Sequence, residues 1–274
     1  MMGWNGRKNA LLLLAVAALV LCVVTVAGGL LADRAMTTDF TRKNLAPCGA
    51  FLFGTDWMGR DMLACTLAGL SLSIRIGLLT AAVSAVIALA MGVASAVFGG
   101  WVDALISWCI DLVMGIPHIL LIMLISLAFG KGFVGVVAGV ALSHWPSLAR
   151  VIRGEVLQLR GAVYVRTAEK LGVSRLTIAG RHMLPHLLPQ FLTGLVLQFP
   201  HAILHEASVT FLGFGLSPEQ PAIGVILSES MSYLTTGKWW LAVFPGLSLV
   251  LVVVLFAAVG EQLRKLLDPA SVHR

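Results

Sequence analysis

Six long apolar runs constrain what this chain can fold into. They occupy residues 10–31, 76–98, 104–129, 133–148, 187–204 and 239–259. A transmembrane helix needs about 20 predominantly apolar residues, and the first run would extend about 33 Å as a helix, longer than the core of a signal peptide. We therefore predict an all-α integral membrane protein with six transmembrane helices, the first of which is retained.

The composition supports a membrane protein and excludes a large soluble domain. Hydrophobic residues make up 58% of the chain and charged residues 12%, whereas soluble domains carry about a quarter charged residues. The stretches between the runs reach roughly forty residues, too few to bury an independent core. The net charge of +6 reflects membrane topology in such a chain. We expect a lipid bilayer as surroundings and no nucleic-acid partner.

The basic residues predict the orientation of the chain. If the N-terminus is cytoplasmic and the runs alternate, twelve of the nineteen Lys and Arg residues face the cytoplasm, where membrane proteins carry such an excess. We predict two cytoplasmic termini and four parts. These are an N-terminal tail with the first helix (1–31), an extracytoplasmic linker (32–75), a core (76–265) that contains a basic cytoplasmic loop (150–186), and a cytoplasmic tail (266–274).

The basic loop alternates apolar and basic residues at helical spacing around Gly172. Two short amphipathic helices joined at this glycine would present a projection to a cytoplasmic partner. A solvated loop lying against anionic headgroups explains the same pattern. Periodicity alone does not separate these two interpretations.

The four cysteines leave two alternatives. Cys22 and Cys109 fall within apolar runs, whereas Cys48 and Cys65 lie in the polar linker. An extracytoplasmic linker would allow a disulfide between Cys48 and Cys65, and four unpaired thiols are the other alternative.

The stretch "YVRTAEKLGVSRLTIAGRHMLP" decides the interpretation of the loop, because it resembles the EAA loop of importer-type ABC permeases. Ala168, Gly172, Leu184 and Pro185 match the pattern of that loop, while Arg166 and Thr167 stand where it has Glu and Ala. The resemblance implies that the loop couples the permease to an ATPase. The residues implied are Arg166, Thr167, Ala168, Glu169, Gly172, Leu184 and Pro185.

The resemblance extends along most of the chain. The blocks "GTDWMGRDML", "GGWVDALI", "WPSLARVIRGEVLQLR", "SVTFLGFGLSPEQPAIGVIL" and "WWLAVFPGL" are similar to the second permease subunit of the dipeptide, oligopeptide and nickel branch. This implies a MetI-like permease fold in the bacterial cytoplasmic (inner) membrane. The implied partners are a homologous permease that completes a heterodimer, two ATP-binding subunits and an extracytoplasmic solute-binding protein.

The chain lacks the G-x-x-x-x-G-K-[ST] motif that cradles ATP phosphates. We predict that it is not an enzyme, that it has no intrinsic cofactor and that ATP and Mg²⁺ bind to partner subunits. A metallohydrolase is poorly supported, because "HEASV" has Val209 where H-E-x-x-H requires the second histidine. The resemblance to a coupling loop argues against a channel that conducts without ATP.

Two histidines in the fifth apolar run suggest that the transported substrate is a metal ion. His201 and His205 are four residues apart and share one helix face, the geometry by which helical histidine pairs hold a metal. Imidazole suits Ni²⁺, Cu²⁺, Zn²⁺ and Fe²⁺. We predict that this pair ligates a metal transiently. His118 and Glu206 are further candidates for the substrate pathway, since ionisable groups at membrane depth usually face a pathway or a partner.

The segments "SHW" and "HAILH" resemble nickel-specific permeases. They imply Ni²⁺ or a nickel chelate as the transported substrate. A di- or oligopeptide, or a metal held by a peptide-like chelator, is the alternative cargo. The histidines could also simply form hydrogen bonds between helices, and we expect that structural role for His144.

Overall fold

The computed structural model describes residues 4–267, which form eleven α-helices. The β-type pairing within that range is a single isolated bridge between Thr55 and Asp61. The helices are α1 (Trp4–Leu30), α2 (Ala32–Met36), α3 (Met62–Phe98), α4 (Gly100–Gly115), α5 (His118–Ala128), α6 (Gly132–Arg160), α7 (Val163–Lys170), α8 (Arg175–Ile178), α9 (Leu184–Phe211), α10 (Ile223–Leu234) and α11 (Trp240–Leu267).

Five helical segments in the described part of the chain are long and apolar enough to cross a membrane. Helices α1, α3, α6 and α11 are each long and apolar enough, and so is the continuous helical segment Arg175–Phe211, which contains α8, a π-helical turn and α9. The bent pair α4 and α5 gives a sixth if it counts as one span. The predicted all-α membrane fold is confirmed, with five or six candidate spans in the described residues.

The third predicted helix is broken, whereas the sequence analysis treated residues 104–129 as one continuous segment. Helices α4 and α5 are bent by 101° at Ile116 and Pro117. Ile116 has an extended backbone, with φ −94° and ψ 136°. Proline disfavours helical backbone in the residue before it and has no N–H for an intrahelical hydrogen bond. The bend makes His118 the first residue of α5.

Several helices extend beyond the apolar runs. Helix α3 begins at Met62, inside the predicted linker, because Asp61 caps it by accepting a hydrogen bond from the backbone N–H of Leu63 at 3.0 Å. Helix α6 continues to Arg160, so the loop predicted from residue 150 begins about ten residues later. Hydropathy marks the part of a helix in lipid rather than its ends. Residues 268–274 of the predicted tail lie outside the described residues.

The linker folds as a short cap on the start of α3. The Thr55 hydroxyl accepts a hydrogen bond from the Leu45 N–H at 2.8 Å and donates one to the Arg42 carbonyl. Cys48 is exposed, whereas Cys65 is buried and its thiol donates to the Ala35 carbonyl at 3.2 Å. All four cysteines are free, so the disulfide alternative is wrong.

Helix α3 is the centre of the bundle. It packs against α1, α6 and α9 along its length. A Cβ atom at Gly92 would lie 2.7 Å from the Ala149 carbonyl oxygen and 2.9 Å from the Ile152 Cβ of α6. Small residues let membrane helices approach closely, where dispersion contacts replace the missing hydrophobic drive. Gly92 therefore sets the distance between α3 and α6.

We expect Gly92→Ala to lower the thermal unfolding temperature of the detergent-solubilised protein. Overpacking of this kind costs about 1–3 kcal/mol. The matched control is Gly154→Ala in α6, where no atom lies within 4 Å of the new Cβ. That variant should unfold at the same or a higher temperature, since Ala favours a helix by about 1 kcal/mol over Gly. Equal unfolding temperatures for the two variants would contradict this account of the packing.

Candidate functional site

Three histidines from three helices meet in the bundle. His118 is in α5, His144 in α6 and His205 in α9, and one ring nitrogen of each lies within 4.8 Å of those of the other two. The His118 ring centroid is 4.6 Å from that of His144 and 4.5 Å from that of His205. The His144 and His205 centroids are 4.9 Å apart. We call these residues the histidine cluster.

Packing beside the cluster explains why the three helices hold it together. Ile122 of α5, Val140 of α6 and Ala202 of α9 belong to one buried hydrophobic group, and each is at most 1% exposed. Ile122 lies four residues after His118, and Val140 lies four residues before His144. Ala202 lies three residues before His205. Each apolar residue is thus about one helical turn from its histidine. The apolar side chains thereby place the imidazoles close together.

Hydrogen bonds indicate which ring nitrogen of His144, the buried residue of the cluster, carries the proton. His144 Nδ1 lies 2.8 Å from the Val140 carbonyl oxygen, which can only accept, so we assign the proton to Nδ1. In a neutral ring this leaves the lone pair on Nε2. That atom lies 3.1 Å from His205 Nδ1. A histidine oriented by a backbone carbonyl in this way is typical of metal ligands.

His118 contributes an unsatisfied atom. Its Nε2 is buried and has no hydrogen-bond partner in the described structure. Buried polar atoms in native proteins are nearly always paired with protein, water or an ion. His118 and His205 are partly exposed, whereas His144 is buried.

Of the two metal ligands predicted on α9, His205 belongs to the histidine cluster and His201 does not. His201 is exposed on α9 and is not among the grouped ligand atoms. His144, which we expected to be structural, lies with His205 instead. Spacing within one helix could not indicate this, because the partners of His205 come from α5 and α6. The transport role of His201 stays a prediction.

Glu206 lies apart from the cluster and is fully buried. Its Oε1 accepts a hydrogen bond from the Thr210 hydroxyl at 3.0 Å, and its Oε2 has no hydrogen-bond partner in the described structure. Its side chain has no exposed surface that could line an open pathway in this conformation. A pathway role for Glu206 stays a prediction that would require the helices to move.

The loop with the EAA-like pattern forms a helix-turn-helix at the end of α6. Gly172 lies between α7 and α8 with φ +77°, a left-handed backbone that favours glycine. Val165 and Ile178 are buried on either side of the turn, whereas Leu171 is 78% exposed and Leu176 is 67% exposed. The turn therefore presents apolar side chains outward from an anchored base.

The residues that the resemblance assigns to coupling occupy different positions on this segment. Arg166, Thr167 and Glu169 are exposed on α7, and Ala168 is partly buried. Leu184 and Pro185 lie at the start of α9, after the π-helical turn at Ala179–Met183. The structure thus supports two short helices rather than an irregular basic loop.

Ion pairs that the sequence analysis missed attach α4 to α6. Arg153 binds Asp103 through two hydrogen bonds, Nε to Oδ1 at 2.6 Å and Nη2 to Oδ2 at 2.7 Å. Arg150 pairs with Asp111 one turn earlier on α6. The partners are about 40 to 50 residues apart, so no local pattern links them. These pairs hold the broken span against the helix that carries His144.

A second network lies in the cap at the start of α3. Arg60 Nε is 2.5 Å from Asp56 Oδ2, and Arg60 Nη2 is 3.1 Å from Glu229 Oε2 in α10. Burial lowers the pKa of Arg60, but the Asp56 and Glu229 carboxylates outweigh burial and raise it above its ordinary value. Arg60 thereby ties the linker to α10.

The fold defines a multi-span membrane protein with an exposed helix-turn-helix at the end of α6. Residues 84–272 match the family described as "Binding-protein-dependent transport system inner membrane component". The match covers more than half of the chain. The chain belongs to this family and is therefore a multi-pass permease of an ABC importer.

Curated relatives support the same family. A dipeptide transport system permease protein of Bacillus subtilis is 28% identical over 92% of this chain and 79% of the relative. A probable D,D-dipeptide transport system permease protein of Escherichia coli is 33% identical over 85% and 78%, respectively. A glutathione transport system permease protein of Pectobacterium atrosepticum is 32% identical over 84% and 76%. These three names refer to peptides and not to nickel.

We expect Arg60→Ala to destabilise the protein strongly, because it leaves the carboxylate of Asp56, 5% exposed, without its cation. Breaking a buried ion pair costs about 3–5 kcal/mol. The control is Arg42→Ala, which removes an exposed pair with Asp39 and should cost about 0–1 kcal/mol. Thermal unfolding followed by tryptophan fluorescence measures both. An Arg60→Ala protein as stable as the Arg42→Ala protein would refute a structural role for this network.

Proposed function

We propose that this chain forms half of the membrane pathway of an ATP-driven importer and that two ATP-binding subunits supply the energy. The observation that carries this proposal is the helix-turn-helix around Gly172, with exposed apolar residues on an anchored base. An exposed apolar surface rimmed by charges is typical of a protein interface. Family membership supports the same assignment.

The proposed complex contains three further kinds of subunit. A homologous permease completes the pathway as a heterodimer, the ATP-binding subunits dock on the helix-turn-helix, and an extracytoplasmic solute-binding protein delivers the cargo. Both termini are cytoplasmic in this proposal, which rests on the distribution of basic residues. ATP and Mg²⁺ bind to the partner subunits and not to this chain.

The cargo we propose is a di- or oligopeptide or a peptide-like metal chelate. The relatives that share 32% and 33% identity with this chain carry names that refer to glutathione and a D,D-dipeptide. Nickel as a free ion is the second candidate, and the observation that favours it is the set of three neighbouring imidazoles. Imidazole nitrogen binds Ni²⁺ well, whereas peptide termini call for charged groups.

Uptake by the reconstituted complex tests the function and separates the cargoes. Proteoliposomes that contain the assembled complex and its solute-binding protein are offered a labelled dipeptide mixture, nickel chloride, or nickel with a peptide-like chelator. We expect ATP-dependent uptake of the dipeptides or of the chelate, and little uptake of nickel alone. Uptake of nickel alone would establish the second candidate. Uptake of each cargo without ATP would refute the importer assignment.

Two substitutions at Gly172 test coupling. Gly172→Val forces a β-branched residue into the left-handed region, at a cost of about 1–2 kcal/mol, whereas Asn tolerates that region. No atom lies within 4 Å of a Cβ at this position, so steric clash is not the cause. We expect Gly172→Val to reduce uptake per ATP hydrolysed, because the strained turn would no longer present the docking surface in the same way. Gly172→Asn should retain most of it.

Quantitative membrane insertion of both variants controls for loss of protein. Normal uptake and normal ATP hydrolysis in the Gly172→Val complex would reject the docking role. Equal loss in both variants would show that the backbone conformation of Gly172 is not what coupling requires.

A further inference from the structure

We propose that His118, His144 and His205 form a binding site for a divalent transition-metal ion inside the permease. This proposal rests on the geometry of the histidine cluster and does not depend on which cargo the importer carries. The three rings supply one nitrogen each from α5, α6 and α9. A bound ion would therefore link the three helices α5, α6 and α9.

The distances fit a metal with a small rearrangement. Zinc lies about 2.0–2.1 Å from an imidazole nitrogen, so two ligand nitrogens of a tetrahedral site are about 3.3 Å apart. His144 Nε2 and His205 Nδ1 are 3.1 Å apart, and all three ligand atoms lie within 4.8 Å of one another. A rotation of one partly exposed ring would complete the set.

The protonation of His144 also fits. Its Nδ1–H donates to the Val140 carbonyl, so its Nε2 presents a lone pair toward His205. Metal ligands require this neutral form, and the backbone carbonyl keeps the ring oriented. His144 is the buried member of the set, so it forms the inner wall of the site.

Hydrogen bonding alone accounts for only part of the cluster. His205 Nδ1–H can donate to His144 Nε2, which gives one nitrogen of each of these two rings a partner. His118 Nε2 remains buried without a partner in the described structure. An ion bound by the three rings would give this nitrogen a partner, and water would supply a fourth ligand.

The ligand types limit which ions fit. Three imidazoles without a carboxylate or a thiolate favour Ni²⁺, Cu²⁺ or Zn²⁺ over Mg²⁺ or Ca²⁺, which prefer oxygen. The three-histidine arrangement with an open position is also the arrangement of metal sites that bind an exogenous ligand. A metal-bearing cargo could therefore be contacted through the ion or deliver it.

Metal binding to the assembled complex in lipid nanodiscs tests the proposal. The complex is stripped with a chelator, exposed separately to zinc chloride and nickel chloride, desalted and analysed for metal by mass spectrometry. A variant with His118, His144 and His205 all replaced by Ala supplies the background from the partner subunits. We expect the wild-type complex to retain about one more ion per copy of this chain than that variant.

Single substitutions assign the ligands. His144→Ala and His118→Asn should each lower the bound metal toward the background, and His118→Asn, at a partly exposed position, guards against a folding defect. The matched control is His186→Ala, which removes an exposed histidine near the start of α9, about five helical turns before His205, and should leave the metal bound. Added zinc should raise the thermal unfolding temperature of the wild-type and His186→Ala complexes but not of the cluster variants.

Two results would overturn the proposal. Equal metal content in the wild-type complex and the triple variant would leave the rings as a hydrogen-bonded structural group. Loss of metal in His201→Ala together with retention in His144→Ala would place the ion on the pair within α9 instead. Dipeptide uptake by the same preparations is measured separately. Its failure in the wild-type complex would count against the proposed function and leave the metal site intact.

Discussion

The hydrocarbon core of a bilayer offers no water to polar groups, so this protein must satisfy them internally. The helices pair their own backbone N–H and C=O groups by hydrogen bonds, and polar side chains also form hydrogen bonds within the protein. Thr80 returns its hydroxyl to the Ile76 carbonyl at 2.9 Å, and Arg153 meets Asp103 through two hydrogen bonds. The exceptions are few in the described residues, and they include an atom of Glu206 and one of His118. A buried polar atom without a hydrogen bond is energetically unfavourable, so these two residues are candidates for a functional role.

The break at Pro117 brings His118 to the start of α5 and so allows the histidine cluster to form. A straight helix over residues 104–129 would satisfy its backbone without help, but proline removes one donor and the chain turns by 101°. The turn starts α5 at His118 and packs it against α6. The ion pairs of Arg150 and Arg153 hold α4 across the other end of α6. The histidine cluster thus depends on a bend that is fixed on both sides.

The sequence predicted those features that are local along the chain. Apolar runs marked six spans, and the resemblance of the loop around Gly172 to a coupling loop favoured two helices joined at that glycine. Helix ends were less predictable, because Asp61 caps α3 well outside its apolar run. The cluster was the least predictable part, since a spacing of four residues finds pairs on one helix, whereas His118, His144 and His205 meet through packing between helices. Pro117 was visible in the sequence, but the direction of its bend was not.

The histidine cluster favours a metal as cargo, whereas the names of the relatives favour a peptide. The two observations conflict only if the cargo is either a metal or a peptide and not a complex of both. Peptides and peptide-like chelators bind transition metals through amine, carboxylate and imidazole groups, and such a complex can keep positions that exchange with water. A pathway that accepts the organic part by shape can then contact the metal through neutral imidazoles. His118 and His205 are partly exposed, whereas His144 is buried. Three imidazoles leave one position of a tetrahedral ion to another ligand, and a site on a transport pathway must also release what it binds.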